Sequence, residues 1–555
     1  MKINNLNLIK KTLLHPVQIR ITGAPEGFDA LLLAGLAGEA PGGAGGVEDG
    51  GADILFVGRD DRRMARIAEA LAFFAPSLER LEFPAWDCLP YDRVSPNGEI
   101  VSRRIDTLTR LLEKKDGARR RVILTTVSAL LQRVPPRAAF AGASLGVASG
   151  GRLDLGSLID FLLGNGYGRS ETVMETGEFA VRGGIIDVFP PGQALPSRLD
   201  FFGDEVDAIR VFDPLSQRTS GKAENVIFKP VNEVLLNADA VSRFRSGFRL
   251  LFGTAAEHDP LYMAVSEGRK QMGMEHWLPL FHERLETLFD YLPQGAVVIL
   301  DHQAEEARDA RLELIGEYYA ARTAISAGGP ATADTIYNPL PPERLYLGRE
   351  QWDGLLVKNP VGRLSPFAAP QGEDSIDAGG RQGRNFADVR VRPGDDVFDA
   401  LGEHIAEQTK AGRRVIVAAL GEGSRERLAA VMNKHGVDAI ASVADWAAAE
   451  RLPAATVALA VVGLERGFTS AALTVISEQD VLGERWRRPA RRQVRAEDLI
   501  TDAASLFEGD LVVHADHGIG RYDGLTAIEV AGAPHDCLRL LYDGGDKLFL
   551  PVENI

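Results

Sequence analysis

Four short apolar runs, Glu178–Gly183, Gly184–Phe189, Arg198–Phe202 and Val206–Phe212, are cut apart by Gly183-Gly184, Pro190-Pro191-Gly192 and Gly203-Asp204. No helix runs through punctuation of this density. Proline removes a backbone donor and glycine opens the chain to tight turns. The stretch therefore predicts an antiparallel meander, a small β domain of its own. A different pattern lies on either side. Asp53–Gly58 is a short apolar run, as a buried parallel strand is, and Arg121–Thr126 reads as another strand. Met64, Ile67, Ala68, Leu71 and Phe74 recur at helical spacing between them. Val297–Leu300 is a further buried-strand run that ends in Asp301, and Arg414–Ala419, Thr456–Val462 and Leu473–Ile476 repeat the α/β pattern. The expected fold class is multidomain α/β and β.

The 555 residues predict three to five domains at roughly 100–200 residues each. Residues 1–145 read as an α/β domain, with Pro41–Gly51 a glycine-rich loop, and 146–228 as the β domain. Residues 229–362 complete the first module. The stretch 363–396, rich in Gly, Pro, Asp and Arg, reads as a linker, and 397–483 as a small second α/β domain. A basic linker at 484–500 holds the strip Arg485–Arg495, which either solvates a tether or contacts phosphate. Residues 501–555 form a β module whose strands Asp510–His514, Gly524–Val530, Cys537–Tyr542 and Lys547–Leu550 alternate with turns at His517-Gly518, Asp523-Gly524 and Asp543–Gly545. That pattern predicts a small barrel. The chain stops at Asn554-Ile555 directly after a strand, which predicts a longer protein.

The net charge of −16 argues against coating nucleic acid by bulk charge. Cys88 and Cys537 exclude a disulfide framework and a cysteine zinc site, and favour the cytoplasm. No run of 18 apolar residues and no signal-peptide pattern is present.

Nucleotide chemistry is the expectation that fails. The phosphate loop GxxxxGK[ST] does not occur. Its nearest positional counterpart is Ile21–Asp29, where Phe28 and Asp29 stand in place of Lys and Ser or Thr, and an acid there repels phosphate. Val297–Leu300 leads into Asp301-His302, with His302 where a metal-and-water-handling Glu belongs. No catalytic residue, cofactor site or metal site is expected.

Three stretches carry a family resemblance. Glu175–Pro190, with Arg198–Val206 and Phe212–Arg218, resembles the UvrA-binding domain shared by UvrB and the bacterial transcription-repair coupling factors, Mfd. Pro84–Pro96 with Ser102–Asp106 is similar to the coupling factors rather than UvrB, since Pro96 and Ser102 are too close for the damage-gripping hairpin of UvrB. Val512–Leu525, closing with Leu548–Asn554, is similar to the RNA-polymerase-interacting domain (RID) of coupling factors and CarD regulators. The resemblance implies a UvrB-like, degenerate RecA-type α/β module with the small antiparallel β domain inserted, a second α/β domain and a C-terminal Tudor-like barrel. Family members continue into a DNA-translocating motor, to which ATP, magnesium and most contact with double-stranded DNA belong.

The resemblance also implies partners. Arg182, Arg198 and Phe202 would contact UvrA. Alternation puts Leu199 and Phe201 on one face and Arg198, Asp200 and Phe202 on the other, which is compatible. The alternative is that the arginines only pair with Glu178, Asp200 or Asp204. Ile528, with Leu525 and Thr526, would dock the β subunit of RNA polymerase by strand addition; the alternative is that Ile528 is core. The implied function is an adaptor that joins stalled polymerase to UvrA for nucleotide excision repair. The rivals are a damage-verifying ATPase of UvrB type and a CarD-like transcription regulator.

Overall fold

The structure, a computed structural model, describes residues 3–38, 52–113, 120–253, 259–328, 337–370, 372, 374–483, 509, 511–514, 518–530, 533–542 and 546–551. The glycine-rich insert expected at Pro41–Gly51 and the basic strip Arg485–Arg495 lie outside the described residues. The chain forms two compact units, Met1–Gly483 and Glu484–Ile555.

The first unit is built on an all-parallel sheet. Its strand order is Ser375–Asp377, Gln18–Thr22, Val361–Leu364, Val297–Leu300, Ile54–Gly58, Arg121–Thr126 and Glu79–Phe83. Ile54–Gly58, Arg121–Thr126 and Val297–Leu300 are buried at every position, which explains the unbroken apolar sequence of the first and last and the apolar Val122–Leu124 centre of the second. The helix Asp61–Phe74 follows its strand after a cap in which Asp60 accepts from the Arg63 N–H at 2.7 Å. It buries Met64, Ile67, Leu71 and Phe74, the positions marked by spacing.

A second sheet runs in the order Arg381–Gln382, Phe468–Thr469, Leu473–Ser477, Arg414–Ala419, Val457–Val461 and Ile440–Val443. Its last four strands are parallel. The two sheets share one core. The Phe468 ring lies 5.7 Å from Phe28 and 6.2 Å from Phe74, and Trp446 lies 6.0 Å from Phe74. The helix Phe28–Leu36 is buried along its whole length, as a helix apolar on nearly every side must be.

This arrangement corrects the expectation of a linker at 363–396. Ser375–Asp377 adds a strand beside Gln18–Thr22, Arg381–Gln382 adds one beside Phe468–Thr469, and Phe386 is fully buried. Polar residues carry these strands because backbone bonds to distant neighbours, rather than apolar alternation, hold them.

The β domain interrupts the first module. Its six strands order as Thr219–Ala223, Glu205–Phe212, Ser197–Phe202, Ile185–Val188, Glu178–Arg182 and Gly168–Arg169. All neighbours are antiparallel except the last pair. Where the chain enters and leaves, Leu145–Ala148 pairs antiparallel with Asn225–Phe228.

In the second unit, Leu511–His514, Gly518–Val530, Ala533–Leu541 and Lys547–Pro551 form an antiparallel four-stranded sheet in chain order. The turn expected at Asp523-Gly524 is instead a register shift inside one long strand, with Gly524 at φ 94°. Among the described residues no helix is long and apolar enough to cross a membrane.

Phe468 is wholly buried at the junction of the two α/β sheets. Phe468→Ala is expected to cost about 3–5 kcal/mol, read as a lowered urea midpoint.

Candidate functional site

The loop Ala24–Gly27 enters the helix Phe28–Leu36 at the place where a phosphate loop would cradle its anion. Here the anion is built in. One Asp29 oxygen accepts the N–H of Gly27 at 3.0 Å and that of Ala30 at 2.8 Å. Its other oxygen binds the Arg63 guanidinium. Arg63, with a side chain only 2% exposed, also donates from Nε to Asp301 at 3.1 Å. Arg59 joins Asp301, at 3.1 Å, to Glu26, at 2.8 Å. Arg66 bridges Glu26, at 3.0 Å, to Glu465 of the second α/β sheet, at 2.9 Å. Gly27 adopts φ 90° and a Cβ there would meet the Phe468 ring at 3.0 Å, so both backbone and space require glycine.

Glu26, Asp29, Arg59, Arg63, Asp301 and Glu465 line a cleft of about 410 Å³ together with His302, Gln303, Gln382 and Arg466. Burial pushes the Asp29 carboxyl up to about 6 against the pull of Arg63, with Asp301 and Glu26 adding to the rise. Burial opposes charge at Glu26 too, but Arg63, Arg59 and Arg66 outweigh it and hold that carboxyl below its usual range. Burial likewise disfavours the charge on Arg63, and Asp29, Asp301 and Glu26 together more than restore it. The arrangement binds cation to anion internally and leaves the helix N-terminus neutralised. Asp29 is visible in the sequence as a misplaced acid and Asp301 as the acid that ends a buried strand. The guanidiniums that answer them are not, because they arrive from the next strand–helix unit.

The motif Ser102–Asp106 proves to be the seat of the β domain. The Ser102 hydroxyl accepts the Gly192 N–H at 2.9 Å, and Asp106 holds the Lys229 ammonium at 2.6 Å. Arg104, fully buried, donates to both oxygens of Glu233 and to the Pro84 carbonyl at 2.9 Å. Its guanidinium lies 4.1 Å from the Phe83 ring centre and 5.6 Å from that of Trp86. Gly192, at φ 80°, sits so close that a Cβ would fall 2.4 Å from Asp106 Oδ1.

On the outer face of the β domain, Phe202 is 84% exposed while Leu199 is fully buried, as alternation requires. Arg182 is exposed and donates to the Glu171 carbonyl at 2.6 Å and to the Thr172 hydroxyl at 3.4 Å. Arg198 is occupied. Its Nε and Nη2 meet the two oxygens of Asp187 at 2.6 and 2.9 Å, and its guanidinium lies 4.6 Å from the centre of the buried Phe212 ring. The partner is thus Asp187, its cross-strand neighbour, and not Glu178, Asp200 or Asp204. Asp200 pairs with Arg210. Arg182, Arg198 and Phe202 share one sheet face, with Arg198 set back into it.

In the terminal sheet, Leu525, Thr526 and Ile528 lie on the long strand Gly518–Val530, opposite Leu538, Cys537 and His535. Leu511–His514 covers only Gly518–Arg521 of the other edge. On that edge the Gly509 N–H also donates to the Tyr522 carbonyl at 2.8 Å, and among the described residues no strand pairs with Asp523–Val530 there.

Three domain families match the chain in succession. They are the UvrB interaction domain over residues 145–233, the MFD D3 domain over 408–481 and the CarD-like/TRCF RID domain over 506–555. Over its length the chain is 31% identical to the transcription-repair-coupling factor of Escherichia coli, covering 90% of the chain and 42% of that protein. It is 32% identical to that of Myxococcus xanthus, covering 90% and 43%, and 29% identical to that of Rickettsia bellii, covering 91% and 43%. The chain falls with the N-terminal part of the transcription-repair-coupling factors. It spans less than half the length of these curated relatives.

The coupling-factor match and the geometry agree on one boundary. The UvrB interaction domain begins at the entry strand Leu145–Ala148 and ends at Glu233, the residue that Arg104 anchors. Asp29 gives the cradle a pH dependence. A carboxyl whose native value is raised above the unfolded one stabilises the fold at low pH, and that contribution is lost as pH rises through the native value. Wild-type stability should therefore fall between pH 5 and pH 7 by an amount that Asp29→Asn removes, measured by urea unfolding at both pH values.

Proposed function

We propose that this chain is the adaptor part of a transcription-repair coupling factor. Its terminal module holds the β subunit of stalled RNA polymerase, and its β domain recruits UvrA to begin nucleotide excision repair. The observation that carries this reading is the order of the three domain matches, UvrB interaction, D3 and RID, on one chain. The exposed Phe202 and Arg182 on the face of the first match support it, since an apolar ring beside a guanidinium is the composition of a binding hot spot. The strand edge beyond Tyr522, unpaired among the described residues, supports docking by strand addition, where backbone bonds supply affinity and alternate side chains supply specificity. In this reading the terminal sheet closes as the small Tudor-like barrel of the CarD type, and Ile528 is the apolar anchor with Leu525 and Thr526 beside it.

The same reading makes the chain a binding protein, not an enzyme. The internal carboxylate of Asp29 stands where a nucleotide phosphate would bind, which weighs against the UvrB-type ATPase. ATP, magnesium and DNA translocation are assigned to the remainder of the full-length protein, and the site of action is the cytoplasm. A CarD-like regulator would leave the first module without a role.

Two variants separate the ends. Phe202→Ala should weaken binding to purified UvrA at least about tenfold while leaving binding to the isolated β-subunit lobe unchanged. Ile528→Arg should abolish lobe binding and leave UvrA binding intact. Calorimetric titration of the whole chain reads both, and unchanged affinities in both titrations would overturn the adaptor reading.

A further inference from the structure

The outer face of the β domain contains a residue that no motif marked. Ile185 opens the strand Ile185–Val188, and its register puts it directly opposite Arg182 on one side and Asp200 on the other. Cross-strand partners share a face, so Arg182, Ile185 and Asp200 form one row. Phe202 lies two residues beyond Asp200 on that face. Ile185 is 36% exposed, whereas the next residue on the strand, Ile186, is fully buried.

The surroundings keep this spot open. Cβ atoms built at Gly183 and Gly203 meet nothing within 4 Å, so both hairpins beside the row face open space. The charges at its flank are already neutralised, Arg198 by Asp187 and Arg210 by Asp200. Among the described residues Arg182 makes no ion pair, and its Nη2 donates to the Glu171 carbonyl and the Thr172 hydroxyl.

We infer that Ile185 is the apolar centre of the UvrA-docking face, between a charge contact at Arg182 and an aromatic contact at Phe202, and that Arg198 acts behind it as a positioning residue. The inference rests on the adaptor reading. The occupant it fits is a UvrA surface with an apolar spot edged by carboxylate, which answers Ile185 and Phe202 with the spot and Arg182 with the charge. Burial of an isoleucine at the middle of such a contact contributes through dehydration, and truncating it at a half-exposed position leaves no cavity in the core.

The test is titration of purified UvrA with the whole chain in four forms. Ile185→Ala should weaken binding about tenfold and Ile185→Glu should abolish it, while Leu215→Ala, 79% exposed elsewhere in the same domain, should bind as wild type does. Phe202→Ala reports on the underlying reading. Weakening by Phe202→Ala with wild-type affinity in both Ile185 variants would overturn the inference and leave the adaptor standing. Wild-type affinity in all four would overturn both. Equal urea midpoints for Ile185→Ala and wild type exclude misfolding as the cause of a loss.

Discussion

Arg63 is the cation on which the first unit turns. It is almost fully removed from water, and such a charge survives only where geometry and counter-charge replace its hydration. Asp29 supplies this from a helix N-terminus, Asp301 from the end of a neighbouring parallel strand, and Glu26 from the intervening loop. Removing one partner from a network of this kind costs about 3–5 kcal/mol, because the charge left behind has no solvent. The network reaches past the first sheet through Arg66 and Arg62, both of which contact Glu465. The same side chains therefore close the phosphate position and pin the second α/β sheet. Restoring a lysine and a hydroxyl at Phe28 and Asp29 would not by itself restore a nucleotide site. It would free Arg63 from its anion and disturb the seam between the sheets.

The β domain is tied down by a second buried pair. Arg104 and Glu233 sit at the point where the chain returns to the first module, and the entry and exit strands hydrogen-bond to each other just beyond it. Lys229 on Asp106 and the Gly192 backbone on Ser102 add two attachments on the same helix, Gly98–Leu112. A domain held at both ends and along one side cannot swing as a bead on a string. Its outer face is presented from a fixed base, which lowers the ordering cost of a partner's docking.

The periodicity of the sequence revealed elements wherever burial is two-sided. Ile54–Gly58, Val297–Leu300 and the Val122–Leu124 stretch of the strand Arg121–Thr126 are apolar because both faces are covered. Short edge strands escaped notice for the opposite reason. Ser375–Asp377 has one buried side chain, Ile376, and its pairing with Gln18–Thr22 is main-chain, so no apolar alternation distinguishes it from a tether. Register was equally illegible. Alternation assigned Arg198 to the outer face correctly, but only strand pairing shows that Asp187 is the residue across from it. The stretch Asp523-Gly524 carries ordinary turn chemistry, and a bulge uses the same positive φ without reversing the chain. The motif Ser102–Asp106 was recognisable as a string of residues; its purpose as a seat is a property of contacts with residues 90 or more positions away.

The two surfaces assigned to partners differ in what they ask of the chain. A sheet face selects through side chains, so its determinants are few, exposed and easily lost by single substitutions. A strand edge offers backbone groups that every sequence possesses, and only its flanking side chains discriminate. In a chain of net charge −16, an arginine left without an acid on the β-domain face is a local exception to the bulk field. On the same face, Arg198 and Arg210 are each matched to a carboxylate. In the proposed contact, internal neutralisation of those neighbours would let a single cation and two apolar side chains select the partner, because an unpaired cluster of three guanidiniums would attract anions without regard to shape.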